Sequence, residues 1–86
     1  MSSALASWYN LEGTGACGYG SVQSGYRLAN LYLACGTLVK ICHYGCVIAQ
    51  VADRGPYVYG RTFDLNANLK YAIGCPDLCY VRWRLA

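Results

Sequence analysis

Six cysteines in a chain of 86 residues constrain the fold more than any other feature of this sequence. A domain this small buries too little apolar surface to be stable without reinforcement. An even number of cysteines in so short a chain is typical of a disulfide-bonded domain from an oxidising compartment. We therefore expect one domain that is secreted, extracellular or in the cell envelope. No stretch approaches the roughly 20 apolar residues of a membrane-spanning helix, so no membrane span is predicted.

The spacing of the cysteines suggests how they pair. Two C-x3-C pairs flank predicted turns and could each close a short loop: Cys42 with Cys46, and Cys75 with Cys79. These pairs leave Cys17 to bond with Cys35. The alternative is a zinc site built from the four C-x3-C cysteines, but structural zinc sites more often use C-x2-C knuckles. We therefore expect no metal and no other cofactor, although six cysteines formally allow about 15 pairings.

Apolar alternation and turn residues predict an all-β domain with little helix. Short strands are expected at residues 6–9, 37–42, 46–52, 61–65 and 81–85. Residues 66–73 can form a two-turn helix, with Asp64 or Asn66 as its N-cap and Gly74 as its end. Residues 10–26 are rich in glycine and are predicted to be a long irregular loop, a kind of segment that is often functional. Five or six short strands suit a small closed barrel.

Two of the four acidic residues lie within residues 51–65. Asp53 and Asp64 each lie at the end of an apolar or β-prone run, and a loop containing Gly55 and Pro56 separates them. Such a loop can bring two strand ends together. Paired carboxylates can cleave glycosidic bonds or bind sugar hydroxyls. The structural alternatives are a helix N-cap for Asp64 and the first position of a turn for Asp53.

The aromatic and basic residues bear on the ligand. Sugars present C–H faces that stack on exposed rings, so Tyr19, Tyr57 and Tyr59, in loops beside these segments, are predicted sugar platforms. Arg54 could pair with a carboxylate or contact a ligand. The net charge of +3 favours an anionic polymer such as a cell wall without requiring one. No cluster of lysine and arginine occurs along the chain, so nucleic acid is not an expected partner.

Four motifs occur in a characteristic order: Ala6-Ser7-Trp8-Tyr9, Gly15-Ala16-Cys17-Gly18-Tyr19-Gly20, Asp53-Arg54-Gly55-Pro56 and Phe63-Asp64-Leu65. Together they resemble the double-psi β-barrel superfamily of the rare lipoprotein A domain, the expansins, barwin and one class of endoglucanases. The glycine-rich motif is similar to an expansin signature. The Asp-Arg-Gly-Pro motif with the later Asp-Leu is similar to rare lipoprotein A, a septal peptidoglycan lytic transglycosylase in some bacteria.

The resemblance covers residues 6–86 and implies a small six-stranded double-psi β-barrel with one or two short helices and disulfide bonds. Residues 1–5 are then expected to be an N-terminal tail or an expression remnant, because they lack the charged and apolar segments of an export signal. The expansin connectivity also supports the Cys17–Cys35 and Cys42–Cys46 pairs.

The resemblance further implies roles for three residues. Asp64 matches an expansin aspartate that is the general acid in the endoglucanases, and Asp53 matches an aspartate implicated in lysis by rare lipoprotein A. Tyr9 matches an aromatic residue near the sugar groove. The chain also departs from its relatives. Thr62 replaces an expansin histidine, Asn30 stands at a rare lipoprotein A histidine, and no second aspartate follows the first strand.

We therefore expect a monomeric domain directed at cell-wall polysaccharide, either peptidoglycan or a plant-type glycan. One hypothesis is a peptidoglycan lytic transglycosylase or related glycosidase, with Asp53 and Asp64 as catalytic residues. Substrate would then contact Tyr9, Tyr19, Arg54, Tyr57 and Tyr59. The other hypothesis is a non-catalytic binding or wall-loosening module like the expansins and barwin, and a protease inhibitor is a third possibility. The sequence does not decide whether the domain is an enzyme.

Overall fold

The computed structural model describes residues 1–86 and contains six strands and one α-helix. The elements follow in the order β1 (Ser2–Trp8), β2 (Arg27–Ala29), β3 (Leu38–Cys42), β4 (Cys46–Asp53), β5 (Phe63–Leu65), α1 (Ala67–Ile73) and β6 (Cys79–Leu85). The strands close into a barrel in which the neighbours run β1-β5-β2-β4-β3-β6. The predicted small six-stranded, all-β barrel with one short helix is confirmed.

The strand order brings distant segments of the chain together. The pairs β1–β5 and β2–β4 are parallel, and the other four pairs are antiparallel. Only β3 and β4 are neighbours both along the chain and in the barrel. Strands that pair in parallel need long crossover connections. The connections other than the β3–β4 turn therefore cross the surface of the barrel. As a result β2 lies between β4 and β5, the two strands that carry the predicted catalytic aspartates.

The core follows from the alternation of side chains along each strand. Fourteen buried residues form one cluster inside the barrel. Alternate positions of the strands supply most of them, and Leu69 and Ile73 of α1 complete it. Trp8 and Trp83 are partly buried and pack against this cluster, and the ring of Trp83 meets that of Phe63 edge to face with centroids 5.1 Å apart.

Two features of the strands differ from the prediction. β1 begins at Ser2, and residues 2–5 pair with β6, from Ser2 opposite Trp83 to Leu5 opposite Tyr80. The expectation that residues 1–5 form a tail is therefore wrong for most of that segment. β2 was not predicted, because its three residues lie just after a glycine-rich loop and only their pairing with β4 and β5 makes them a strand.

The helix has the predicted ends. Asn66 is the N-cap, and its side chain accepts a hydrogen bond from the backbone N–H of Leu69. Gly74 ends the helix in the left-handed conformation, with φ of 71°. Of the two predicted caps, Asn66 has this role, and Asp64 is free for another. At seven residues α1 is short, and no helix in the chain is long and apolar enough to cross a membrane.

All six cysteines form disulfide bonds in the predicted pairs. The Cα–Cα distances are 5.6 Å for Cys17–Cys35, 4.1 Å for Cys42–Cys46 and 5.7 Å for Cys75–Cys79. The last two bonds close local turns. The first joins the long glycine-rich loop to the loop before β3, across a sequence separation of 18 residues. With all six cysteines bonded, none has a free thiol.

Candidate functional site

The two predicted catalytic aspartates flank a single residue of β2. Ala29 is the Cα partner of Asp53 on β4 and also of Asp64 on β5. Neighbouring strands lie about 4.8 Å apart, so the two aspartate Cα atoms are roughly 10 Å apart across β2. Leu28 and Leu65 are buried inside the barrel. Because side chains alternate, Ala29 and Asp64 therefore face its outer surface.

A cavity of about 250 Å³ lies over this part of the surface, and we call it the acidic cleft. Its lining comes from the end of β1, the long loop, β2 and the strands beside β2: Tyr9, Leu11, Glu12, Gly13, Thr14, Val22, Ala29, Asp53, Arg54 and Asp64. Three of the protein's four acidic residues line it. The structure therefore brings Asp53, Asp64 and Tyr9 together, as the motifs predicted.

Asp53 is fixed by the long loop. Its Oδ1 accepts hydrogen bonds from the backbone N–H of Ala16, at 2.7 Å, and of Arg54, at 2.8 Å. The loop can approach so closely because residue 15 is glycine. A Cβ atom at Gly15 would lie 2.5 Å from the carbonyl oxygen of Ala52 and 2.8 Å from Cβ of Asp53. Two charge-assisted bonds to the same oxygen hold this carboxylate in one orientation and leave Oδ2 for a ligand.

Asp64 is held differently. It accepts a hydrogen bond from the hydroxyl of Ser7, which is buried and lies opposite it in the parallel β1–β5 pair. The side chain of Asp64 is half-buried, and no backbone N–H contacts it. The two carboxylates therefore differ in their partners: one side-chain hydroxyl holds Asp64, and two backbone N–H groups hold Asp53.

Tyr9 lies between these charges. Burial raises the pKa of its phenol, and the negative charges of Asp53 and then Asp64 raise it further, against a smaller lowering by Arg27. Tyr9 is therefore a neutral hydrogen-bond donor at any physiological pH. Its hydroxyl oxygen is buried and has no hydrogen-bond partner in the protein. An unpaired buried hydroxyl is costly, so this hydroxyl is free to donate to a polar group that reaches it.

Glu12 lines the acidic cleft but was not singled out from the sequence. It lies in the long loop after β1, and its Oε1 accepts bonds from the hydroxyl of Ser21 and from the backbone N–H of Gly13. A signal was available, since Glu12 is one of only four acidic residues and follows the first motif by three positions. No group of three or more His, Cys, Asp or Glu side chains is arranged to hold a metal ion.

Arg54 lines the acidic cleft, but its guanidinium bonds to the protein. Its Nη1 donates to the carbonyl oxygens of Asn30, at 2.9 Å, and Leu33, at 2.6 Å. Its Nη2 lies 3.4 Å from Sγ of Cys35. Arg54 therefore fixes the loop after β2 and does not form the carboxylate pair considered from the sequence. Only its remaining N–H groups are left for a ligand.

A second cavity, of about 570 Å³, adjoins the acidic cleft. It is lined by residues 30–32 and 56–62, and we call it the tyrosine bowl. Tyr32, Tyr57 and Tyr59 are 89%, 80% and 103% exposed, so their rings are open to a ligand. The two predicted platform residues Tyr57 and Tyr59 therefore lie together, and the structure adds Tyr32 and Arg61, which were not predicted.

Asn30 and Thr62, which stand where rare lipoprotein A and the expansins are expected to have histidine, lie between the two cavities. Asn30 follows Ala29 of the cleft, and Thr62 precedes Asp64 by two residues. The Asn30 side chain donates to the carbonyl oxygen of Thr62 at 3.0 Å and accepts from the backbone N–H groups of Tyr32 and Leu33. Asn30 is buried, so the residue at the histidine position of rare lipoprotein A has a structural role here.

Tyr19 lies outside both cavities. Its hydroxyl packs close to Gly36, where a Cβ atom would be 3.0 Å away, and its carbonyl oxygen accepts a hydrogen bond from Arg27. The prediction of Tyr19 as a platform therefore finds no support in its position. The glycine-rich motif contains both Tyr19 and Ala16, but it is the backbone of Ala16 that reaches the site.

Comparison with known proteins gives a sequence relative and several structural neighbours. No family model matches the chain. It is 42% identical over 67 residues to the probable endolytic peptidoglycan transglycosylase RlpA of Aquifex aeolicus, a match that covers 71% of this chain and 30% of that protein. The chain thus spans less than a third of the relative's length. RlpA is rare lipoprotein A.

One structural neighbour is the expansin of Clavibacter michiganensis. It superposes with a TM-score of 0.82 at 22% sequence identity, and the match covers 98% of this chain and 49% of the expansin. At that identity the likeness shows the fold alone. The closed six-stranded barrel, the motif order and these two matches agree, and the chain is a rare lipoprotein A- and expansin-like domain of the double-psi β-barrel superfamily.

Proposed function

We propose that the domain acts on cell-wall polysaccharide and cleaves peptidoglycan glycan strands as a lytic transglycosylase. The observation that carries the proposal is the pair of carboxylates on either side of Ala29, in one cleft and with different hydrogen-bond partners. The named activity of the Aquifex aeolicus relative supports the same substrate class. Three disulfide bonds support a location outside the cytoplasm, in the cell envelope or beyond it. We expect the domain to act as a monomer.

The proposed chemistry assigns one role to each carboxylate. Protonated Asp64 donates its proton to the glycosidic oxygen as the bond to the anomeric carbon breaks. Ionised Asp53, fixed by its two N–H bonds, stabilises the positive charge that develops at the anomeric carbon. A hydroxyl of the same sugar then attacks that carbon and gives its proton to Asp64. The cycle restores both carboxylates, and no water molecule or second base is needed.

The tyrosine bowl supplies binding next to this chemistry. The rings of Tyr32, Tyr57 and Tyr59 offer apolar faces to sugars that continue from the acidic cleft. Tyr9, with its unpaired hydroxyl, donates to a sugar oxygen inside the cleft. A strand that spans both cavities is held on either side of the scissile bond, and such positioning makes a large contribution to rate.

A second candidate is a non-catalytic module that binds or loosens the wall. One observation favours it: the positions at which expansins and rare lipoprotein A carry histidine are Thr62 and a buried Asn30, and neither side chain can transfer protons near neutral pH. In that case the tyrosine bowl would provide the affinity, and the carboxylates of the acidic cleft would accept hydrogen bonds from sugar hydroxyls.

The test is digestion of purified peptidoglycan, both intact and stripped of its stem peptides, followed by mass spectrometry of the soluble products. Asp53→Asn and Asp64→Asn are compared with Asp77→Asn. Asp77 is the acidic residue outside the cleft, and its carboxylate accepts a hydrogen bond from the indole N–H of Trp8, which an asparagine oxygen can replace.

Anhydro-sugar products that disappear in Asp64→Asn and persist in Asp77→Asn would support the transglycosylase and name its acid. Reducing-end products would indicate hydrolysis and would contradict the intramolecular attack. An absence of products from either substrate, with the protein pelleting on the insoluble wall, would reject the enzyme and leave the binding module.

A further inference from the structure

The seven basic residues of the chain divide into two groups. Four of them contact other parts of the protein or line the candidate site. Arg27 donates to the carbonyl oxygens of Tyr19 and Ser21, and Arg54 fixes the loop after β2. Buried Lys70 lies over the rings of Trp8 and Tyr71, and Arg61 lines the tyrosine bowl. The remaining three are Lys40, Arg82 and Arg84. Their only hydrogen bond is a local one from Arg84 to the carbonyl oxygen of Leu85.

These three residues share one surface of the barrel. Lys40 on β3 is directly opposite Arg84 on β6, and Arg82 lies two residues earlier on β6. The neighbouring residues Val39, Ile41 and Val81 are buried, so alternation turns the three basic side chains outward. Directly opposite Cα atoms are about 5 Å apart, and residues i and i+2 of a strand are about 7 Å apart. We call this surface the cationic face.

Nothing within the protein compensates these charges. Like charges directly opposite each other in an antiparallel pair are destabilising. Of the four acidic residues, Glu12, Asp53 and Asp64 line the acidic cleft, and Asp77 accepts the hydrogen bond from Trp8. The fold thus separates charge, with acids around one cavity and three free cations on another surface.

The two surfaces lie on opposite sides of the barrel. In the closed order β1-β5-β2-β4-β3-β6, β2 is three strands away from β6 in either direction. The acidic cleft lies over β2, and the cationic face is formed by β6 and its neighbour β3. The molecule extends 28 × 25 × 22 Å, so a sugar bound in the cleft is a molecular width away from Arg82 and Arg84. The ligand of the cationic face is therefore a second segment of polymer.

We propose that the cationic face docks on the carboxylates of peptidoglycan stem peptides, on a strand beside the one held in the acidic cleft. The choice of polymer rests on the proposed function, because a wall-directed domain meets these carboxylates wherever it binds. Three adjacent cations attract a polymer that repeats its anion, and this attraction depends on their charge. Docking would hold the domain on the wall while the cleft engages individual strands.

The test is pelleting on peptidoglycan freed of phosphodiester polymers with hydrofluoric acid, over a series of salt concentrations. The wild type is compared with the neutralised variant Lys40→Gln/Arg82→Gln/Arg84→Gln and with the charge-conserving variant Lys40→Arg/Arg82→Lys/Arg84→Lys. At low salt we expect the neutralised variant to bind about tenfold more weakly. We expect the charge-conserving variant to bind like the wild type, and added salt to remove the difference.

A second arm uses peptidoglycan whose carboxylates have been converted to amides with a carbodiimide and ammonia. This treatment should weaken the wild type to the level of the neutralised variant and leave that variant unchanged. Urea denaturation should show the neutralised variant to be at least as stable as the wild type, since it removes a repulsive pair. Equal binding of both proteins, or a difference seen only while phosphodiester polymers are present, would overturn the inference.

The inference and the proposed function can fail separately. Soluble stem-free glycan keeps only the lactyl carboxylates of its muramic acid residues, so at high salt, where these charges are screened, the neutralised variant should cleave it like the wild type. If Asp64→Asn loses cleavage but the wild type and the neutralised variant bind the wall equally, only the docking role of the cationic face is rejected. If binding depends on salt and on the cationic face but no glycan is cleaved, only the transglycosylase proposal is rejected.

Discussion

The acidic cleft and the tyrosine bowl adjoin each other and are built in opposite ways. In the cleft each carboxylate accepts hydrogen bonds from the protein. Asp53 accepts from two backbone N–H groups, and Asp64 accepts from the hydroxyl of Ser7. Glu12 accepts from the hydroxyl of Ser21 and the backbone N–H of Gly13. In the bowl the three tyrosines lie on loops and are at least 80% exposed. Side chains with a fixed orientation thus lie against the barrel strands, and exposed aromatic rings lie on the loops.

This contrast predicts that mutations will separate turnover from affinity. Changes in the cleft should reduce cleavage with little effect on the bowl, and changes in the bowl should weaken binding without altering the reacting groups. Five substitutions test the separation.

The largest effect is expected for Asp64→Asn. Removal of the proposed general acid should lower the rate of glycan cleavage about 10²–10⁴-fold, because asparagine cannot donate the proton to the leaving oxygen. Binding should change little, since the amide keeps the size and an oxygen acceptor for Ser7. Mass spectrometry of products and pelleting on peptidoglycan measure the two quantities. A parallel loss of both would show that the two cavities do not act independently.

Gly15→Ala tests how the cleft is positioned. A Cβ atom would lie 2.5 Å from the carbonyl oxygen of Ala52, so the loop must move away from Asp53. We expect the free energy of unfolding to fall by about 1–3 kcal/mol, with a loss of cleavage. Gly45→Ala is the matched control, because its nearest contact, with the carbonyl oxygen of Ala72, is an ordinary 3.6 Å. Urea denaturation should show a change of at most about 0.5 kcal/mol for the control, and equal costs for both would contradict the close approach.

Tyr57→Ala and Tyr59→Ala test the bowl. Each should weaken glycan affinity by about 1 kcal/mol, or about fivefold, through lost stacking area. The measurement is best made by pelleting in an Asp64→Asn background, so that the ligand is not consumed. Tyr44→Ala serves as the control, because Tyr44 is 88% exposed but lies in the β3–β4 turn and lines neither cavity. A similar loss for Tyr44→Ala would indicate nonspecific adsorption.

The smallest effect is expected for Tyr9→Phe, which should change how the stability of the protein depends on pH. Burial raises its pKa above the ordinary 10.0, so the folded protein keeps a proton that the unfolded chain releases. The contribution of Tyr9 to the free energy of unfolding is therefore constant below about pH 10. Above that pH it falls by at most about 1.4 kcal/mol per pH unit.

In Tyr9→Phe this part of the pH dependence should disappear. At neutral pH the variant should be as stable as the wild type or more stable, because it loses an unpaired buried hydroxyl. Urea denaturation at several pH values between about 9 and 11 provides the comparison. An identical decline of stability in both proteins would show that the phenol of Tyr9 is not buried beside the carboxylates as described.

Much of the fold could be predicted because the signals are local. The β3–β4 hairpin, the helix with its cap and stop, and the two C-x3-C disulfide bonds each depend on residues a few positions apart. The strand Arg27–Ala29 and the first half of β1 could not, because neither has a pattern of its own and both are defined by pairing with distant strands.

The candidate site divides in the same way. Asp53 and Asp64 were predicted from their motifs, and Tyr9 from the family resemblance. Glu12, Tyr32 and Arg61 were not, because each joins a cavity only when a loop folds over β2. Arg54 belongs to the predicted motif, yet its guanidinium fixes the loop after β2 through the carbonyl oxygens of Asn30 and Leu33.

By itself the sequence determined the disulfide-bonded barrel, its superfamily and the two carboxylates, because alternation, turn chemistry and ordered motifs are properties of neighbouring residues. Only the tertiary structure decided which residues share a surface. Along the chain Lys40 is 44 positions from Arg84 and no basic cluster is visible, yet the β3–β6 pairing sets them side by side. The same applies to Asp53 and Asp64, which line one cavity because β2 pairs with both of their strands. Such contacts depend on strand order, which no local pattern encodes.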